Sequence, residues 1–213
     1  KKIKQQKQTK NANNRLIERL FNLNKVNYDK IFEEIKEKNK GKKLLLQVCC
    51  APCFSGVYER VQDFDTSLYF YNPNITKKEE YEKRLNELKR FVKEVYSKPI
   101  EIIDGGFDDK TFFEAVRGLE EEKEGGKRCK VCYALRLSET AKLAKTSGFD
   151  FFCTTLSVSP YKNAEALNEI GVTLGKKYGV EYLVSDFKKQ NGYKKSIENS
   201  AKYGLYRQNY CGC

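Results

Sequence analysis

At 213 residues the chain is long enough for one α/β domain with a substantial core, or for one domain plus an appendage. Lys+Arg 41 against Asp+Glu 29 gives a net charge of +12, and His, Met and Trp are all absent, which excludes any histidine ligand, triad or proton shuttle. No apolar run is long enough to span a bilayer and no secretory signal is recognisable, so a cytoplasmic protein is the default expectation. Position 1 is Lys rather than an initiator Met, as expected of a trimmed chain.

Residues 1–43 hold 14 basic and 5 acidic side chains, a net of +9, which leaves the remainder nearly balanced at +3. Such a basic front end suits a polyanionic partner, RNA or DNA, or else a solvated tail. Residues 1–13 are polar and read as a flexible arm. Leu16, Ile17, Leu20 and Phe21 form one helical stripe, and Tyr28, Ile31, Phe32 and Ile35 form a second that ends near Gly41. Residues 1–41 are therefore read as a basic arm with helices, and 42–213 as an α/β domain.

Leu44 to Val48 reads as a buried strand running straight into Cys49, Cys50 and Cys53, with a helix from Phe54 to Phe64 behind it. Ser67 to Tyr71 is a second strand, closed by the turn Asn72-Pro73-Asn74. Tyr81, Leu85, Leu88, Val92 and Val95 mark a long helix; Ile100 to Ile103 is a third strand and Thr111 to Leu119 a brief helix. Glu120 to Glu124 and Gly125-Gly126 form an exposed connection. Cys129 opens a long helix with Val131, Ala134, Leu137, Ala141 and Ala144 inward, ended by Gly148. Phe151 to Leu156 is a fourth strand. Ser159-Pro160 reads as an N-cap with a first-turn proline for a helix through Leu167, Ile170, Leu174 and Tyr178. Val180 to Val184 is a fifth strand, and Ser185 to Cys213 is expected to lie over the site. Strands alternating with helices predict a doubly wound parallel sheet, whose ligands bind beyond the carboxyl ends of the strands.

Eight cysteines in tight groups, in a chain without a secretory signal, point to metal binding or redox chemistry rather than to a disulfide framework. Cys50 to Cys53 span a strand-to-helix turn, where a helix N-terminus favours thiolate, and Cys129 and Cys132 share one face of a helix's first turn. Two such pairs brought together supply four thiolates, which suits a tetrahedral zinc or a 4Fe–4S cluster equally. Cys211-Gly212-Cys213 could close only a strained, easily reduced disulfide, the kind used catalytically; the alternatives are a second pair of ligands or two idle terminal thiols. Cys153, inside a Phe-rich strand, reads as a small hydrophobe, while Cys53 stays open between spare ligand, helix support and ligand to a second metal.

Several blocks together resemble one family. They are Cys-Cys-Ala-Pro-Cys at 49–53, Phe-Tyr-Asn-Pro-Asn-Ile at 70–75 and Gly-Gly-Lys-Arg-Cys-x-x-Cys at 125–132. Thr-Thr-Leu-x-x-Ser-Pro-x-Lys-Asn at 154–163 and the ending Tyr-Gly-Leu-Tyr-Arg-Gln-x-Tyr-Cys-Gly-Cys at 203–213 complete the set. In this order they are similar to the QueH family of epoxyqueuosine reductases over about residues 42–213. The resemblance implies an adenine-nucleotide α-hydrolase-like (HUP-like) α/β fold, here with N-terminal helices. It implies a cytoplasmic, cobalamin-independent enzyme that reduces epoxyqueuosine to queuosine at the tRNA wobble position with electrons from an external donor. It further implies a 4Fe–4S cluster on Cys49, Cys50, Cys129 and Cys132 and a redox-active Cys211/Cys213 pair. Thr76 and Tyr161 stand where relatives often carry His, so no role of those histidines carries over.

Asp108, Lys162, Tyr193 and Tyr210 are the candidates for delivering a proton to the departing oxygen, Asp108 being also a candidate ligand and a candidate turn residue. Lys162, Lys188, Lys189, Tyr193 and Lys194 are the candidate tRNA contacts, with lysines for phosphate and tyrosine for stacking. A second iron near Cys53, Cys211 and Cys213 is permitted by the number of thiols. Two rivals remain: a zinc-bound RNA-binding protein and a tRNA-thiolating relative. The latter needs a Gly/Ser-rich ATP loop where this chain has Cys49-Cys50-Ala51-Pro52-Cys53.

Overall fold

The computed structural model describes residues 26–213. The polar arm 1–13 and the stripe Leu16, Ile17, Leu20 and Phe21 lie outside the described residues. The second N-terminal stripe is helix α1 (Tyr28–Lys38), capped by the Asn27 side chain on the Lys30 amide. Its Phe32 meets the Phe187 ring edge-on at 5.3 Å, and Arg60 clamps its outer side through Asp29 (2.8 Å) and Glu33 (2.7 Å).

Five strands, β1 (Lys43–Gln47), β2 (Asp65–Phe70), β3 (Ile102–Asp104), β4 (Phe151–Thr154) and β5 (Glu181–Tyr182), form one all-parallel sheet in the order β3-β2-β1-β4-β5. Parallel strands covered on both faces read as continuous apolar runs. Leu44, Leu45 and Leu46 are accordingly all fully buried, as are Phe152 and Cys153 beside them. The chain winds outward from β1 in one direction to β2 and β3, then returns to the other side for β4 and β5. The switch point therefore falls between β1 and β4.

The expected helix from Phe54 to Phe64 is instead two short helices, α2 (Ala51–Ser55) and α3 (Tyr58–Val61), broken at Gly56-Val57. The break lets another helix approach: a Cβ on Gly56 would lie 2.5 Å from the Gly192 carbonyl oxygen and 2.9 Å from the Ser196 Cβ. Helix α4 (Lys78–Val95) buries Tyr81, Leu85, Leu88, Phe91 and Val92, and α5 (Asp109–Ala115) is short. In α6 (Lys127–Thr146) the buried face runs through Cys129, Cys132, Tyr133, Arg136, Leu137, Thr140, Ala141 and Ala144. Val131 and Ala134, expected to point inward, are only half-buried.

After β4 a 3₁₀ turn occupies Thr155–Val158, where strand was expected to continue to Leu156. Helix α7 (Ala164–Tyr178) starts later than Ser159-Pro160 suggests. Its N-cap is Asn163, whose Oδ1 accepts from the Ala166 amide at 3.0 Å. The last segment holds a helix the periodicity does not show, α8 (Gly192–Lys202).

Candidate metal centre

The site is built on the carboxyl edge of β1. Gln47, fully buried at that edge, ties three strand ends together. Its Nε2 donates to the Tyr71 carbonyl (3.0 Å) and Asn72 Oδ1 (3.3 Å), and its Oε1 accepts from Thr154 Oγ1 (2.7 Å). The chain then turns through Cys49 and Cys50 into α2, with Cys50 as N-cap and Pro52 in the first turn. The thiols of Cys49, Cys50 and Cys53 fall within 4.8 Å of one another, the one such group of three ligand-type side chains among the described residues. Cys49 and Cys50 Sγ are 3.8 Å apart, and Cys49 Sγ is 3.6 Å from Thr155 Oγ1 on the turn after β4.

Hydrogen bonds from Cys50 and Cys53, helped by the Arg136 charge, overcome burial and hold the Cys49 thiol well below its usual range. The same sharing pushes Cys50 up to about 12 and Cys53 upward too. Three thiols at this spacing fit the donor chemistry of a thiolate-bound metal or cluster and fall one short of a four-thiolate set.

The other thiols stand close by. Cys129 and Cys132 are buried in the first turns of α6, and the Gly125 amide donates to Cys129 Sγ at 3.3 Å. They line a small cavity with Cys211, Cys213, Arg136 and Lys162. Arg136, Lys162 and Cys211 also line the main cavity of about 570 Å³, whose wall includes Cys49, Cys50 and Cys53. Two adjoining cavities therefore hold every cysteine except Cys153. Cys153 lies fully buried on β4 with its thiol pushed up to about 12 by burial, in keeping with a packing role. All eight cysteines are free thiols.

Residues 203–213 run over the main cavity and are held on α4. The Tyr206 amide donates to Glu87 (2.7 Å), the Tyr206 hydroxyl donates to both Glu80 oxygens (3.2 and 3.1 Å), and Arg90 donates to the Tyr203 carbonyl (3.2 Å). Gly212, at φ +101, accepts from the Thr76 amide at 3.3 Å. This places Cys211 beside Lys162, whose Nζ is 3.9 Å from the sulfur and 2.7 Å from Glu124. A hydrogen bond from Cys213, then the Lys162 charge against burial, lowers Cys211 to about 5, while Cys213 is raised by that same bond.

The candidate proton donors and RNA contacts separate. Asp108 caps α5, its Oδ1 accepting from the Thr111 amide at 3.1 Å, and lines neither cavity. Tyr193 and Tyr210 line the main cavity, Tyr193 with the Arg207 guanidinium 5.4 Å from its ring centroid. Lys188 is tied to Asp186 at 3.0 Å and to the Ser157 carbonyl at 3.2 Å, whereas Lys189 and Lys194 are exposed. Two arginines absent from the sequence reading, Arg84 and Arg136, are 3 % and 4 % exposed and line the main cavity. Arg136 was discoverable: it lies four residues after Cys132 and seven after Cys129, on the same helical face.

A doubly wound parallel sheet with thiols converging at its switch point defines a class, the thiol-centred α/β proteins able to hold a metal. The comparisons narrow it. The family profile described as "Epoxyqueuosine reductase QueH" matches residues 44–213, and the chain belongs to that family. Proteins named epoxyqueuosine reductase QueH are similar over most of the chain. One from Streptococcus pyogenes serotype M1 is 40 % identical over 209 residues, covering 93 % of this chain and 82 % of its own length. One from Staphylococcus epidermidis is 39 % identical over 199 residues, covering 89 % and 84 %. One from Thermotoga maritima is 36 % identical over 171 residues, covering 80 % and 88 %. No described helix is long and apolar enough to cross a membrane.

Proposed function

We propose that the chain is a cobalamin-independent epoxyqueuosine reductase acting on tRNA. In this reading Cys49, Cys50, Cys129 and Cys132 hold a 4Fe–4S cluster, and Cys211 with Cys213 is the redox-active pair. The observation that carries it is the meeting of three cysteine segments in two cavities that share Arg136, Lys162 and Cys211, in a member of this family.

Turning an epoxide into an alkene consumes two electrons and two protons and releases water. A thiolate and a thiol that close to a disulfide release those two electrons and one proton, the second proton must come from a neighbouring acid, and an external donor must then reopen the disulfide. A bound 4Fe–4S cluster supplies electrons one at a time. The residues prepare the dithiol for its part. Cys211, lowered to about 5, stands as thiolate at neutral pH while Cys213 keeps its proton. Lys162 keeps an ammonium proton 3.9 Å from Cys211: burial pulls its pKa down, but the Cys211 and Glu124 charges more than restore it. Because the Asp108 carboxylate is engaged as a helix cap, proton delivery passes to Lys162, with Tyr193 and Tyr210 at the same cavity. Lys189 and Lys194 are exposed for phosphate and Tyr193 is placed for stacking on an unpaired base.

One observation favours zinc: three thiols already within 4.8 Å suit a compact tetrahedral site. Anaerobic purification with iron, sulfide and zinc analysis decides between the two. The reductase reading expects a brown protein with about four irons per chain that bleaches on reduction. Iron beyond that share, lost in Cys53→Ser, would place a second iron near Cys53, Cys211 and Cys213. Cys213→Ser should keep the cluster's visible absorbance and abolish turnover of epoxyqueuosine-bearing tRNA. A colourless, zinc-loaded protein without turnover refutes the reading.

A further inference from the structure

Arg136 stands at the seam between the two cavities and lines both. One end of its guanidinium is fixed: Nη2 donates to Asn72 Oδ1, and Asn72 is held by its own Nδ2 donating to the Val48 carbonyl at 3.0 Å. The Nε is buried and has no hydrogen-bond partner among the described residues. Among the described residues no carboxylate forms an ion pair with it. Glu124, the one acidic residue lining either cavity, is paired with Lys162 at 2.7 Å, and Glu139, three residues along α6, is paired with Lys142 at 2.6 Å. A buried cation is costly unless an opposite charge faces it. What shares its two cavities is sulfur: Cys49, Cys50 and Cys53 line one, Cys129, Cys132 and Cys213 the other, and Cys211 both.

We propose that Arg136 is a positioning charge that offsets the anionic thiolate-bound centre and sets how readily that centre accepts an electron. This rests on the iron–sulfur reading above. Each electron added to such a centre adds negative charge, and net charge with local hydrogen bonds is among the levers that set a cluster's potential. A fixed guanidinium between the thiol segments favours the reduced form. Arg84 is the internal contrast. It is as deeply buried in the same cavity, but its charge is spent on Glu80 at 2.6 Å.

The test compares anaerobically purified wild type, Arg136→Met, Arg136→Lys and Arg84→Met. Each is measured for iron and sulfide per chain, and visible bleaching is followed in a mediated redox titration. Arg136→Met is expected to shift the reduction equilibrium at least about tenfold toward the oxidised form, about 59 mV for one electron. Arg136→Lys keeps the charge and should stay near the wild-type value, and Arg84→Met should move it less than Arg136→Met. Full iron with an unchanged potential in Arg136→Met overturns the proposal. If Arg136→Met loses iron while Arg136→Lys keeps both iron and potential, charge is what holds the centre and the proposal stands. Equal loss of iron in both overturns it, because shape rather than charge is then what counts. Wild type lacking iron and sulfide fails at the earlier step, and that is read before any variant is compared.

Discussion

The placement of the terminal dithiol depends on how firmly residues 203–213 are docked, and Tyr206→Phe isolates one bond of that docking. The hydroxyl donates to Glu80 at 3.2 and 3.1 Å, while the ring itself lies 3.5 Å from the Lys83 ammonium, a contact that Phe keeps. A hydrogen bond to a charged acceptor contributes about 1.5–3 kcal/mol. Tyr206 is only half-buried, which argues for the low end, about 1.5 kcal/mol. At about 1.4 kcal/mol per factor of ten, the tail should open roughly tenfold more often. Hydrogen exchange resolves this, because local opening is read segment by segment. The expected result is about tenfold faster exchange in 203–213, with β1 and β4 unchanged. Unchanged exchange in the tail would show that this bond holds nothing, and equal acceleration throughout the domain would show that the tail is not a separate unit.

Three further outcomes can be measured on the same protein. Burial would raise the Glu80 carboxyl, but the Arg84 hydrogen bond and charge, with the Tyr210 and Tyr206 hydroxyls, more than reverse this and hold it below its usual range. A folded pKa below the unfolded one stabilises above the ordinary Glu value of about 4.3, and that stabilisation is lost as pH falls through the folded value. Tail protection, corrected for intrinsic exchange, should therefore fall on acidification below about pH 4, and Glu80→Gln should weaken this dependence, Glu87 on the Tyr206 amide carrying the rest. Gly56→Ala forces a Cβ to 2.5 Å from the Gly192 carbonyl oxygen, so urea unfolding should show a loss of about 1–3 kcal/mol; an unchanged midpoint would mean that α2 and α8 slide apart freely. Cys153→Ala removes a thiol that donates to the Leu183 carbonyl at 3.1 Å, and should cost about 1 kcal/mol while leaving iron per chain intact.

The parts legible in the sequence are those where burial writes itself into residue type. Leu44 to Leu46 and Phe151 to Cys153 are apolar without alternation because parallel central strands are covered on both faces. The Cys129-x-x-Cys132 spacing likewise marks one helical face, and that face is buried. Helix α8 left no such trace. Its buried positions are Gly192, Ser196 and Ser200, small residues four apart that let it approach Gly56, so no apolar stripe announces it. The same contact explains the broken helix after Cys53. Arg136 escaped notice for the opposite reason: a charged side chain is read as solvent-facing unless its helical neighbours are thiols that give it something to face.

Chain order alone does not bring Cys49, Cys129 and Cys211 together; the strand order does. With β1 and β4 as neighbours, the connections leaving their carboxyl ends part to either side and leave an open crevice there. Cys49 to Cys53 form one wall as the exit from β1. The connection that follows β3 starts α6 at the same edge, where the amide of Gly125 reaches Cys129. The third segment has no strand to place it, and α4 takes that role through Glu80, Glu87 and Arg90, whose tail contacts span 113 to 126 residues of sequence. Two cysteine segments are thus fixed by the sheet, while the third is fixed by a set of hydrogen bonds and a cation–π contact to α4. Of the three walls of this site, the dithiol's is the one that can loosen without unfolding the domain.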